Sequence, residues 1–171
     1  TCFEEIDMPD KTLDTLFHET LRDIYYAERK LLSALKKLAR GASDNALKEA
    51  FTAHREETET HVERLQQVFE MIGKPARGKT CDAIDGITAE ADEVMEDFKG
   101  QPALDAGILA AAQAAEHYEI ARYGALVAWA KALGLADAAE LMAQTLAEEK
   151  AADEKLTALA KSALNTAAKA A

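Results

Sequence analysis

The stretch LKEAFTAHREETETHVERLQQVFEMIG, residues 47–73, decides the fold. Leu47, Phe51, His54, Thr58, His61, Leu65, Val68 and Ile72 recur at alternating steps of three and four. That spacing keeps one face of an α-helix toward a core over about seven turns. Its ends agree: Ser43 and Asp44 offer caps before it, while Gly73 and the following Lys-Pro stop it. The stripe is apolar at both ends and polar at its centre, where His54, Thr58 and His61 sit with Glu57 close beside them. A buried polar centre is costly unless it is paired or bound to a cation.

Working outward, the same pattern appears three more times. A helix from Asp10 or Thr12 to Leu38 or Arg40, with Gly41 as its stop, carries Leu13, Phe17, Leu21, Ile24, Leu31, Leu35 and Leu38. Its stripe is broken by Glu28. A helix from Ala103 to Leu133, stopped by Gly134, carries Leu109, Ala112, Tyr123 and Leu126 and is broken by Glu116 and Glu119. A helix from Ala136 into the alanine-rich tail carries Met142, Thr145, Ala152 and Leu156 and is broken by Glu149, with Asp153 one turn beyond. Short links make each pair an antiparallel hairpin. The roughly thirty residues from Gly73 to Pro102 form a crossover with a short helix expected over Thr88–Phe98. The expected architecture is all-α: a ferritin-like four-helix bundle of two antiparallel hairpins with one long crossover, built as a single domain over 1–171.

Composition narrows the function. With 171 residues, 3 Pro, 8 Gly and 49 % hydrophobic residues, the chain has the length for one core and the make-up of helices. A formal net charge of −11 opposes binding to nucleic acid or anionic membrane surfaces and suits attraction of cations. The two cysteines, Cys2 and Cys81, make no disulfide framework and no C-x-x-C pair. Ala103–Ala115 is too short to cross a bilayer. A cytoplasmic protein is expected.

Antiparallel packing brings helix midpoints to one level, so Glu28, Glu57, Glu116, Glu119 and Glu149 are expected to converge. Carboxylates gathered in one buried space repel and raise each other's pKa. Among the basic residues only Arg122, beside Tyr123, falls near the stripes, so metal ions are the expected neutralisers. Oxygen donors with one or two imidazoles suit iron or manganese better than structural zinc. His54 and His61 lie about 10 Å apart along their helix. Two ions in such a site are about 3.5–4 Å apart, so only one of the two histidines is expected to be a ligand. Tyr26 and Tyr123 are expected chiefly to pack, His117 and His18 to face solvent, and Trp129 to sit in the core or an interface.

Four segments together carry a family resemblance: LRDIYYAER (21–29), AHREET (53–58), EHYEIA (116–121) and LAEEKAAD (146–153). On these the chain resembles the YciF-type bacterial stress-response proteins of the ferritin-like superfamily. The resemblance implies a homodimer with a di-iron site, and supports ligands at Glu28, Glu57, Glu116, Glu119 and Glu149. It also favours His54 as the nitrogen ligand, with Asp153 standing in for His61 across the site. Glu57 and Glu116 are expected to bridge the two iron (or manganese) ions, and Glu119 to shift with oxidation state. Glu116 and Glu119 are similar to the Glu-x-x-Glu segment of rubrerythrins. The Glu-x-x-His of di-iron proteins is absent, since Thr60 follows Glu57 and Ala152 follows Glu149 at the third position. Reaction with peroxide or oxygen is the activity this implies. A structural dimer with a vestigial site is the second expectation, and iron storage in a cage a weaker third.

Overall fold

The computed structural model describes residues 11–169, so Cys2 lies outside the described residues. Every regular element among them is helical: α1 (Leu13–Gly41), α2 (Asn45–Met71), α3 (Asp82–Asp97), α4 (Leu104–Ala132), α5 (Ala136–Leu159), a π-helical stretch (Ala160–Leu164) and α6 (Asn165–Lys169). α1 packs along α2 and α4 along α5; contacts of α2 with α5 and of α1 with α4 close the four long helices around a common interior. α3 lies against α4 and touches α1. No helix among the described residues is long and apolar enough to cross a membrane.

The interior is lined by the predicted stripes: Leu21, Ile24, Leu47, Val68 and Leu126 are fully buried and Phe17 and Phe51 nearly so, joined by Ile108 and Phe69 from beside them. Removing each such side chain from water contributes about 1.5–3 kcal/mol. Local chemistry sets the boundaries. Asp44 caps α2 by accepting from the Leu47 amide at 2.9 Å. Asp105, in the first turn of α4, accepts from the Ser43 and Asp44 amides, each at 2.8 Å, and so ties the α1–α2 turn to the second hairpin. Gly73 and Gly134 follow α2 and α4 with φ of 66° and 76°, a left-handed conformation that is costly for other residues.

Two boundaries differ from expectation. Gly41 is the last residue of α1 and not its stop; the chain leaves the helix at Ala42, where ψ turns to 146°. The crossover helix begins at Asp82, well before Thr88, because Cys81 caps it with its sulfur 3.4 Å from the Ile84 amide. Gly86 weakens the early turns of α3 locally, and the complete burial of Ile84 offsets this. α3 also approaches α4 closely at Gly107, where an added Cβ would stand 2.6 Å from Val94 Cγ1. The tail stays on the fold through Leu164, the buried last residue of the π-helical stretch.

Candidate metal centre

Each of the four long helices places polar side chains in the interior at the point where its stripe is interrupted. Glu28 from α1, His54 and His61 from α2, Glu116 and Glu119 from α4, and Glu149 from α5 are all buried. Donor atoms of His54, Glu116, Glu119 and Glu149 all lie within 4.8 Å of one another, as do those of Glu28, His61 and Glu149. Oxygen and nitrogen ligands at about 2.0–2.3 Å from an ion span roughly that distance across its shell. Glu149 belongs to both groups.

The close approaches are specific. His54 Nε2 stands 2.9 Å from Glu116 Oε1 and 3.5 Å from Glu149 Oε2. His61 Nδ1 stands 3.0 Å from Glu149 Oε1 and 3.5 Å from Glu28 Oε1. The Tyr123 hydroxyl donates a short hydrogen bond to Glu28 Oε1. Even so, seven buried side-chain atoms have no hydrogen-bond partner among the described residues. They are Glu28 Oε2, His61 Nδ1, Glu116 Oε2, both oxygens of Glu119 and both oxygens of Glu149. His61 Nδ1 is close to Glu149 yet not aligned with it for a hydrogen bond. All seven orphans belong to this one cluster, and buried polar groups are otherwise paired with few exceptions.

The charge state of this cluster follows from its burial. Burial and the neighbouring Glu149, Glu28 and Glu116 charges push the Glu119 carboxyl well above its usual range. Burial likewise pushes Glu149 up to about 8, against the opposing pull of His61. For His61 burial alone would lower the pKa, but Glu149 and Glu28 outweigh it and raise it to about 10. His54 is held well above its ordinary value because Glu116 and Glu57 outweigh its burial. Both imidazoles, Glu119 and Glu149 thus all favour keeping a proton in the metal-free cluster. An ion binding there would displace those protons.

The candidate residues read from the stripes are not all brought into the cluster. Glu28, His54, Glu116, Glu119 and Glu149 are brought into it. Glu57 is part-exposed and sits outside both groups; its Oε2 is 3.4 Å from His54 Nδ1, which lowers its pKa, and its Oε1 is 4.0 Å from Lys155. It stands at a cleft lined by Ala53, His54, Glu57, Glu116, Ala152 and Lys155. Glu149, and not Glu57, is the acid common to both groups. Asp153 turns away, accepting from Gln113 Nε2 at 3.1 Å and lying 3.2 Å from His117 Nε2. His61, which Asp153 was expected to replace, is fully buried in the cluster. Axial separation along the helix misled that expectation. Residues i and i+7 share one face, and the two rings lean together until their centroids are 6.2 Å apart.

Other side chains also depart from expectation. Tyr123 is a hydrogen-bond donor to Glu28, beyond packing, and Tyr26 donates to Asp85 at 2.9 Å. His18 packs edge-on against Phe69. Arg122 lies over the ring of Tyr118 instead of serving the cluster. Arg64 reaches the cluster's edge, where it grips Glu148. Sequence reading missed both, although Arg64 and Glu148 each adjoin a stripe position, three residues after His61 and one before Glu149.

An all-helical protein with a buried carboxylate–imidazole cluster is the class that this fold and site define. Residues 12–169 match the family described as "Domain of unknown function (DUF892)", and the chain belongs to that family. It is 46 % identical over 151 residues to the protein YciF of Escherichia coli, covering 88 % of this chain and 91 % of that one. The crystal structure of the E. coli stress protein YciF superposes with a TM-score of 0.87 at 45 % identity, over 91 % of this chain and 99 % of the other. YcfI from Rhodopseudomonas palustris, provisionally described as a structural protein, superposes with a TM-score of 0.84 at 46 % identity, over 91 % and 98 %. The resemblance read from the four segments is thereby shown: the chain is of the YciF type.

Proposed function

We propose that the chain is a ferritin-like four-helix bundle, one domain made of α1, α2, α4 and α5, whose core binds two iron or manganese ions and acts on peroxide or oxygen under stress. The observation that carries this reading is the set of seven buried donor atoms, gathered in one cluster, that have no hydrogen-bond partner among the described residues. Natural interiors leave buried carboxylate oxygens unpaired at a cost of roughly 1–3 kcal/mol or more for each group, and cations remove that cost. Glu28 and His61 would hold one ion, His54, Glu116 and Glu119 the other, and Glu149 both. When bound, such ions supply one- and two-electron redox chemistry toward peroxide or oxygen. The residues' own part is to bind and to exclude water. Tyr123 restrains Glu28, both Glu119 oxygens are unpaired, and the cleft beside Glu57 gives a route to His54 from one side. The family resemblance supports a homodimer, and we place the protein in the cytoplasm.

The test is metal content by elemental mass spectrometry, on protein purified without chelator and after anaerobic loading with ferrous iron. Two iron or manganese ions per chain are expected. A second reading, a structural helical dimer without metal, is favoured by one observation: with His54 and His61 protonated, much of the carboxylate charge is already balanced. Protein that stays empty after loading would establish that reading instead.

A further inference from the structure

His61 faces the cluster with Nδ1, whereas His54, two turns earlier on α2, faces it with Nε2. The outward nitrogen of His61 is not left to solvent. Its Nε2–H donates to Glu148 Oε2 at 2.9 Å. Glu148 is itself clamped: Arg64 donates from Nη1 to Oε2 at 2.6 Å and from Nη2 to Oε1 at 2.9 Å. Arg64 Nη1 also reaches Thr145 Oγ1 at 3.2 Å. The guanidinium therefore touches α5 at two places one turn apart, a bidentate grip of fixed geometry. Arg64 is mostly buried, while Glu148 is half-exposed at the rim.

We propose that Glu148, clamped by Arg64, is the positioning residue that fixes the ring of His61 with Nδ1 turned into the cluster. A carboxylate behind an imidazole decides which nitrogen carries the proton and hence which lone pair is free for a metal. With Glu148 occupying Nε2–H, only Nδ1 can serve as the inward donor. Its consequence for metal binding rests on the dinuclear reading above, but the ring orientation itself does not. Glu148 lies next to Glu149 in the chain, so α5 supplies an inner donor and an outer support from adjacent positions. The half-exposed Glu148 makes the arm accessible to substitution without opening the core.

Two measurements test it. In metal-free protein labelled with nitrogen-15 at histidine, the His61 Nε2–H proton is expected to be shifted downfield and protected from solvent exchange. That signature should be lost in Glu148→Leu and largely recovered in Glu148→Gln, which keeps an acceptor oxygen. In cobalt(II) titrations followed by visible absorption, Glu148→Leu should weaken one of the two ions by about 10–100-fold, with the helical circular dichroism unchanged. Arg64→Met should give a smaller loss of the same kind. An unprotected Nε2–H in the unsubstituted protein, or unchanged cobalt binding by Glu148→Leu beside two tight sites in the parent, would overturn the assignment. If the parent binds no cobalt, the metal reading fails by itself and the nitrogen-15 signature still decides the ring orientation.

Discussion

Raising the pH should destabilise the metal-free protein between pH 6 and 8, a range in which surface carboxylates and lysines hardly titrate. Four groups contribute in the same direction: Glu119 and His54, both held well above their ordinary values, Glu149, moved by burial from 4.5 to about 8, and His61, carried from 6.5 to about 10 by Glu149 and Glu28 against its burial. All four folded values lie above the unfolded ones, so the folded state holds more protons. Each contribution is complete below the unfolded pKa and is lost as pH rises through the folded one: from about 4.5 to 8 for Glu149, and from about 6.5 to 10 for His61. At about 1.36 kcal/mol per pKa unit, the two windows together give a loss of about 4 kcal/mol between pH 6 and 8 for independent groups. Their mutual contact raises His61 and lowers Glu149, so the two do not titrate independently and about 4 kcal/mol is the upper bound for this pair. Against a total of about 5–15 kcal/mol this is a large change. Urea unfolding at pH 6, 7 and 8, in chelator, measures it directly. Metal reverses the trend: bound ions displace these protons, so the stabilisation by manganese(II) should grow over the same range. Metal-free stability that is flat or rises from pH 6 to 8 would refute the account, because the buried groups could not then hold protons as described.

Three further outcomes follow from particular contacts. Because Glu149 is common to both donor groups, Glu149→Gln should abolish uptake of both ions, whereas Glu57→Gln should leave two ions bound with weakened affinity, as read by elemental analysis. Tyr123→Phe removes the donor to Glu28 and leaves that oxygen buried and unpaired, so metal-free protein should lose about 1–3 kcal/mol in urea unfolding. Gly107→Ala should cost roughly 1–3 kcal/mol through its clash with Val94; adding Val94→Ala should recover part of it, and no recovery would place the strain elsewhere.

The helices, their order and most of their ends are legible in the sequence alone. Periodicity of 3.6 residues assigns each side chain to a face with little ambiguity, and Asp44, Gly73 and Gly134 terminate helices by local backbone chemistry that needs no neighbour. It also showed the interruptions at Glu28, His54, Glu116, Glu119 and Glu149, since an acid or imidazole on an apolar stripe is visible in one helix alone. What it did not determine is anything set by the rotamers and by the stagger between helices. Glu57, beside its stripe, and Glu149, on its own, were both expected to converge with the other acids, yet Glu57 sits at the rim and Glu149 at the centre. His61 was discounted by axial distance, although leaning rings closed the gap. α3 starts six residues before Thr88 because burial of Ile84 outweighs the local weakness of Gly86. Glu148 and Arg64 lie on different helices, 84 residues apart, and neither violates a stripe. Only packing brings them together behind His61, because a contact between helices depends on where each axis lies, which no single helix's pattern contains.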